Sequence, residues 1–421
     1  MFDDPSGAGT AIFRSPLSGI VPAALPGFVI AIPVRDEEER LPACLRALAR
    51  QRDRSGRSIS PTQVRIVVFA NNCADQSASL ARRLGECLSL EIRAVEASFP
   101  PAAAHAGNAR RAAMDIAEAW LEEGGESGGV IMTTDADSQV SPNWISANLA
   151  AFEAGAEAVL GRIDLDGEGK LLPEALHWRG ELEDTYEGLL TELSWLLDPL
   201  EHNPWPHHAT ISGSSLGITR TAYCRVGRLP RVPLGEDKAL IALLSRYDAR
   251  IRYCPTVHVI TSGRTNGRAP GGVADALAIR SREPDALCDD ALEPFCTAFA
   301  RASWRGRLRR MHGAGGLALD QDWAAELGIS AGDVNDIKEP SFGAAWSVIE
   351  DRSPLFARRL LRPTELPEQI SMARRWLTHL RESGSGARHH VQAKLAISIP
   401  ALKDTGRLNS FDEESGSFVA A

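Results

Sequence analysis

Short apolar runs alternate with stretches of helical period over the first 160 residues, and this alternation constrains the fold more than any other feature. The runs are Phe28 to Val34, Val64 to Ala70, Leu90 to Val95, Val130 to Met132 and Ala156 to Gly161. Runs of this length bounded by Gly and polar residues read as buried strands. Between them, Glu37 to Arg50 sets Leu41, Leu45 and Leu48 on one helical face, and Gln76 to Gly85 reads as a second helix. Ala106 to Leu121 turns Met114, Ile116, Ala117 and Leu121 inward, and Asn143 to Ala154 forms a further helix. The pattern predicts an α/β fold, Rossmann-like, with a mostly parallel sheet and helices on both faces.

Past residue 165 the rhythm changes. Leu171 to Leu200 reads as one long helical region, and Ile211 to Thr219 and Arg250 to Ile260 as strands. The sequence thus divides into a loose Gly/Pro/Ser-rich arm (1–26), a main domain (27–280, with halves 27–165 and 166–280), a helical extension (281–382) and a disordered Ser/Gly-rich tail (383–421).

Net charge is −9 over 421 residues with pI about 5.7, which speaks against broad nucleic-acid binding. The seven cysteines form no C-x-x-C pair, so a reducing compartment fits better than a disulfide framework. The longest apolar stretch, Ile20 to Val34, is cut by Pro22, Pro26 and Pro33 and is too broken to span a membrane. With no basic n-region at the amino terminus, a cytoplasmic location is expected, with peripheral membrane contact left open.

The strand ends carry the chemistry. Val130 to Met132 runs into Thr133-Thr134-Asp135-Ala136-Asp137-Ser138. In open α/β sheets ligands bind just past the carboxyl ends of the strands. An extended backbone would point Asp135 and Asp137 the same way, a hard oxygen pair suited to Mg²⁺ or Mn²⁺ shared with substrate phosphates. An Asx turn or helix cap before Ser141-Pro142 is the plain alternative. The first strand ends in Pro33-Val34-Arg35-Asp36-Glu37-Glu38, and the second in Asn71-Asn72-Cys73-Ala74-Asp75. For both, helix capping competes with a ligand role. Gly235-Glu236-Asp237-Lys238 likewise reads either as a functional pair or as acids at a helix amino terminus.

Taken in order, these four motifs resemble the family-2 glycosyltransferases of the GT-A fold, over roughly residues 28–270. The resemblance implies a nucleotide-sugar donor of UDP or GDP type and a metal-dependent, inverting transfer to a hydroxyl of unknown acceptor. It sets Pro33, Val34, Arg35, Glu37 and Asn71 against the base and ribose, and Arg110 on a helix that approaches the donor. Asp135 and Ala136 face the donor, and Asp137, beside Asp135, holds the metal. Asn71 departs from the aspartate usual in the family, which changes the donor and acceptor pattern offered to a base. Asp237 is the implied base, with Glu236 orienting the acceptor. Gly213 and Ser214 border the acceptor, and Arg264 and Arg268 lie on a lid loop. Where relatives carry a metal-binding His, Thr261 stands here, with His258 three residues earlier.

Two other readings stay open: a catalytically degenerate nucleotide-sugar-binding protein, and a sugar-phosphate nucleotidyltransferase. The acidic Pro33–Glu37 turn disfavours the second, which needs a basic Gly-rich loop there. His202, His207 and His208 match no zinc spacing. Trp195 and Trp205 suit either core packing or sugar stacking. Arg301, Arg305, Arg307, Arg309 and Arg310 form either a solvated helix face or a face for anionic lipid or an acidic partner.

Overall fold

The computed structural model describes residues 27–267, 271–315, 317, 322–330, 332–333, 337, 341–382, 410–412 and 417–419. The amino-terminal arm 1–26, Arg268 and most of the tail lie outside the described residues.

The alternation builds the expected elements. Strands β1 (Phe28–Val34), β2 (Arg65–Asn71), β3 (Glu91–Ala97) and β4 (Val130–Thr133) alternate with helices α1 (Leu41–Ala49), α2 (Ser77–Leu88) and α3 (Ala106–Glu123). There follow β5 (Gln139–Val140), α4 (Trp144–Glu153), β6 (Ala158–Leu165), α5 (Glu174–Leu197), β7 (Leu216–Thr219), α6 (Arg220–Arg225), α7 (Glu236–Arg246), β8 (Ile251–Thr261) and α8 (Val273–Arg282). Helices α9 (Phe295–Gly313), α10 (Asp322–Glu326), α11 (Phe342–Arg352) and α12 (Leu366–Glu382) complete a helical carboxyl-terminal region. Beyond it, Ser410–Asp412 pairs antiparallel with Ser417–Val419.

The main sheet runs β3-β2-β1-β4-β7-β6-β8-β5. The β1–β2, β2–β3, β1–β4 and β6–β8 pairs are parallel, and β4–β7, β6–β7 and β5–β8 are antiparallel. The mostly parallel sheet is therefore mixed in its second half. This insertion matters for the site. Because β7 runs against β4, Leu216 at its start pairs with Thr133 at the end of β4. The residues entering β7 thus meet the residues leaving β4.

Alternation along the strands feeds two cores. Ile30, Ile32, Ile66 and Val68 pack towards α1 and α4, against Leu41, Leu45, Leu48 and Trp144. Val29, Ala31, Val67 and Ile131 face Met114 and Ala117 of α3 and Leu240 and Leu244 of α7. Each such side chain contributes roughly 1.5–3 kcal/mol on burial. A third core joins Tyr186, Leu193 and Leu197 of α5 to Phe295, Trp304, Trp346 and Leu377. The first two-thirds of the chain and its helical end are therefore stitched through α5.

Several boundaries differ from the sequence pattern. The helix expected from Glu37 begins at Leu41, because Asp36 takes a left-handed backbone (φ 53°) and the Glu37 carbonyl closes a turn onto the Arg40 and Leu41 amides. The strand expected from Ile211 begins at Leu216, because Ser212 caps a 3₁₀ turn over Gly213–Ser215. The arginines near 301–310 are not one free basic face. Arg305 and Arg309 clamp Asp198, Arg301 holds Glu293 and Glu350, and Arg307 meets Glu326. All seven cysteines are free thiols. No helix among the described residues is long and apolar enough to cross a membrane.

Candidate active site

Arg110 organises the site. It projects from the first turns of α3 and is buried, 6% exposed. It donates through Nη2 to Asp135 Oδ1 at 2.8 Å and through Nε to Glu236 Oε1 at 3.0 Å. Its Nη1 donates to Thr133 Oγ1 at 3.0 Å and to the Gly213 carbonyl at 2.9 Å. One guanidinium thus ties together the ends of β4 and the starts of β7 and α7. Burial alone disfavours its charge, but Asp135 and Glu236 hold it firmly protonated. Gly213 is required at this junction: a Cβ there would stand 2.4 Å from Arg110 Cζ.

Asp135 and Asp137 do not lie on extended backbone. Ser138 N donates to the Asp135 carbonyl at 3.1 Å, closing a turn that carries both carboxylates. Asp135 goes to Arg110 and accepts a short bond from Ser214 Oγ. Burial raises its pKa, but the Arg110 charge and these bonds bring it below the usual carboxylate range. Asp137 turns instead to Arg264, with 3.0 Å between Oδ2 and Nη2. Burial, followed by the Asp135 charge, pushes Asp137 up to about 6.

Arg264, just beyond β8, also grips Glu37 with both nitrogens, at 2.5 and 3.0 Å. Its guanidinium therefore lies between the carboxylates of β1's exit turn and β4's exit turn. Glu37 is fixed from behind as well, its amide donating to Ser77 Oγ at 3.0 Å. Arg35 donates to the Ala104 carbonyl at 3.1 Å and so braces the loop before α3. Pro33 and Val34 end β1 at this edge. Asn71 ends β2, 2% exposed, and its Oδ1 has no hydrogen-bond partner among the described residues.

Asp237 lies one residue into α7 and is oriented from two sides. Its Oδ2 accepts from Gly213 N at 2.9 Å and its Oδ1 from Lys238 N at 2.7 Å. Burial and then the neighbouring Glu236 charge raise its pKa. Glu236 is itself buried and committed to Arg110.

The structure thus brings Arg110, Asp135, Gly213, Ser214, Glu236 and Asp237 into one bonded cluster, and Glu37, Asp137 and Arg264 into a second beside it. Arg268 lies outside the described residues. Ala136, 3% exposed, bridges the two aspartates as part of the sheet-face core. His258 does not approach this cluster through its hydrogen bond, which joins Nε2 to Asp164 at 2.8 Å; Thr261 instead accepts from Ser138 Oγ. Two contributors carry no sequence signal: Thr133, which only the β4 register reveals, and Cys44, whose thiol meets the Asp135 carbonyl.

A divalent cation fits at Asp137 by donor chemistry. Burial comes first among the causes of the raised Asp137 pKa, and the Asp135 and Glu37 charges add to it against the opposing Arg264. Its ion-pair partner, Arg264, lies on the segment that follows β8.

Strand order and layering, a mixed and mostly parallel sheet with helices on both faces, fit the GT-A fold. Residues 29–203 match the family model described as glycosyl transferase family 2. Asp237 and Arg264 lie beyond the matched stretch. No curated protein matches the chain. Among solved structures, Staphylococcus aureus TarS residues 1–349 in complex with UDP aligns at 12% identity and TM-score 0.41, covering 94% of this chain and 96% of that one. A mannosyltransferase from Pyrobaculum calidifontis in complex with GDP-Man and Mn²⁺ aligns at 15% identity and TM-score 0.43, covering 91% and 84%.

Proposed function

We propose that the protein moves a sugar from a nucleoside-diphosphate donor to an acceptor hydroxyl with inversion, using Asp237 as base. The observation that carries this is the Arg110 junction, which gathers Asp135, Gly213 and the Glu236–Asp237 pair from distant parts of the chain around one guanidinium. A merely capping Glu-Asp pair has no reason to be tied to the D-x-D turn.

In this reading Asp237 takes the acceptor's hydroxyl proton as that oxygen attacks the anomeric carbon. The bond from that carbon to the diphosphate breaks, and the diphosphate leaves with the electron pair. The raised pKa of Asp237 makes it a better proton acceptor than an ordinary carboxylate. Gly213 N and Lys238 N aim its oxygens. Asp137 would hold Mg²⁺ or Mn²⁺, which supplies Lewis-acid neutralisation of the leaving diphosphate. Arg264 gives up its carboxylates to add charge to the same group. The unpartnered Asn71 Oδ1 supports a base contact, since an N–H of uracil or guanine would complete it. Glu236 acts through Arg110 as a positioning residue. Seven free thiols support a reducing, cytoplasmic setting.

A thermal-shift panel of UDP, GDP, CDP and dTDP sugars with and without Mn²⁺ tests this. A metal-dependent rise with one nucleotide is expected, because a ligand selective for the native state raises the melting point. No rise with any of them overturns the donor assignment.

A further inference from the structure

A cavity of about 580 Å³ lies outside both bonded clusters, with none of their residues in its lining. Its walls come from the second half of α5, the loop after it, the turn from α7 into β8, and helices α9 and α11. The walls from α7 onward lie beyond the stretch that matches the family model. One end is fixed beside the proposed base. Ala291 lines it, and directly before Ala291 stand Asp289 and Asp290, which accept from Lys238 Nζ at 3.2 and 3.1 Å. Lys238 follows Asp237. Helix α7 then leads from Asp237 to Ser245, another lining residue, about 12 Å further along at 1.5 Å per residue.

The lining selects among ligand classes. The carboxylates of Glu187, Asp198 and Asp248 stand against the guanidiniums of Arg250, Arg305 and Arg309, so neither an anion nor a cation meets a wall of opposite sign. Arg305 and Arg309 hold Asp198, and the Phe342 and Gly343 amides donate to Asp248 at 2.7 and 2.8 Å. The Glu187 carboxyl and the Tyr253 hydroxyl, by contrast, make no hydrogen bond among the described residues. A hydrocarbon ligand would leave both unpaired. Aromatic rings complete the lining: Trp195 from α5, stacked on Trp205 at 5.8 Å, and Phe342 and Trp346 from α11. An uncharged ring with C–H faces and a rim of hydroxyls meets all of these demands, and the volume is that of a small-molecule site. A pyranose is such a ring.

We propose that this cavity binds a neutral saccharide, the part of the acceptor that lies behind the hydroxyl being glycosylated. The acceptor clause rests on the transferase reading; the binding clause does not.

The test applies the full chain to an immobilised array of neutral oligosaccharides built from α- and β-linked glucose, galactose, mannose and N-acetylhexosamine. A captured sugar is then titrated in solution by tryptophan fluorescence, since Trp195 and Trp346 line the cavity. At least one sugar should bind. Glu187→Ala combined with Tyr253→Phe removes no side-chain hydrogen bond among the described residues and should weaken binding at least ~10-fold. Ala209→Trp, at an exposed lining position, should fill the space and weaken it likewise. Both variants should keep at least the wild-type melting point and the full nucleotide-induced shift. An array that captures nothing, or variants that bind as tightly as the wild type, overturns the site, and a nucleotide-induced shift in that same protein leaves the transferase reading standing. Sugar binding by a protein that no nucleotide sugar stabilises keeps the site and removes the acceptor clause alone.

Discussion

Arg110 and Asp135 form an ion pair of 2.8 Å whose guanidinium is shared with Glu236 at 3.0 Å. One buried cation therefore couples the turn expected to face the donor to the helix that carries the proposed base. Removing it leaves the buried Glu236 and the partly exposed Asp135 without their shared cation. Arg110→Met should destabilise the fold by about 3–5 kcal/mol, read by chemical denaturation. Arg110→Lys keeps the charge but loses the fork that reaches four acceptors. It should fold, with turnover falling further than donor affinity.

Gly213→Ala places a methyl group against that guanidinium. The clash is with a side chain locked by four bonds, so Arg110 has little room to give. A loss of about 1–3 kcal/mol in unfolding free energy is expected. Because Gly213 N also orients Asp237, activity should drop more than stability alone accounts for.

Asp237→Asn should keep donor affinity while abolishing turnover, measured by nucleotide-induced melting shift beside product formation. The sign of the pH effect follows from the raised pKa of Asp237. The base acts only when deprotonated, so kcat/KM should fall as pH drops through a value above an aspartate's ordinary one. An acid limb at or below an aspartate's ordinary value would show that another group limits the reaction.

Arg264 occupies, with its guanidinium, the space between Glu37 and Asp137. Arg264→Ala removes a resident cation. Mn²⁺ binding to the donor-free protein, followed by electron paramagnetic resonance, should tighten several-fold, while turnover falls. Unchanged Mn²⁺ affinity would mean that Arg264 and the ion do not compete.

Glu187 offers a stability test outside the site. Burial, and then the charges of Asp184, Asp289 and Glu183, push it from 4.5 up to about 7. A carboxyl raised in the folded state costs stability once it ionises. The cost is absent below about pH 4.5 and complete above about pH 7. Glu187→Gln should therefore raise the melting temperature at pH 8 and change little at pH 4.5, with a gain on the order of 2 kcal/mol at the higher pH.

The strand and helix pattern was readable because each element carries its own periodicity. Ile30 and Ile32 on one face and Val29 and Ala31 on the other need no partner to be recognised. Motif order was readable for the same reason, since strand ends lie where apolar runs stop. Side-chain direction was not. The extended backbone expected through Asp135 and Asp137 is replaced by the turn that Ser138 closes, and Arg110 and Arg264 claim the two carboxylates separately. The arginines near 301–310, open to a lipid-facing reading by spacing, are consumed largely by Asp198, Glu293 and Glu350, whose approach depends on how α5 and α9 pack.

By itself the sequence determined the α/β rhythm, the three acidic or polar strand ends and the absence of a long apolar span, all local properties of hydrophobic period and turn chemistry. Only the tertiary structure decided that β7 runs against β4. That reversal delivers Gly213 to Arg110 and Arg110 to Glu236, a union of residues up to 126 positions apart. Strand direction within a sheet is set by the packing of whole elements, and short-range sequence carries no term for it.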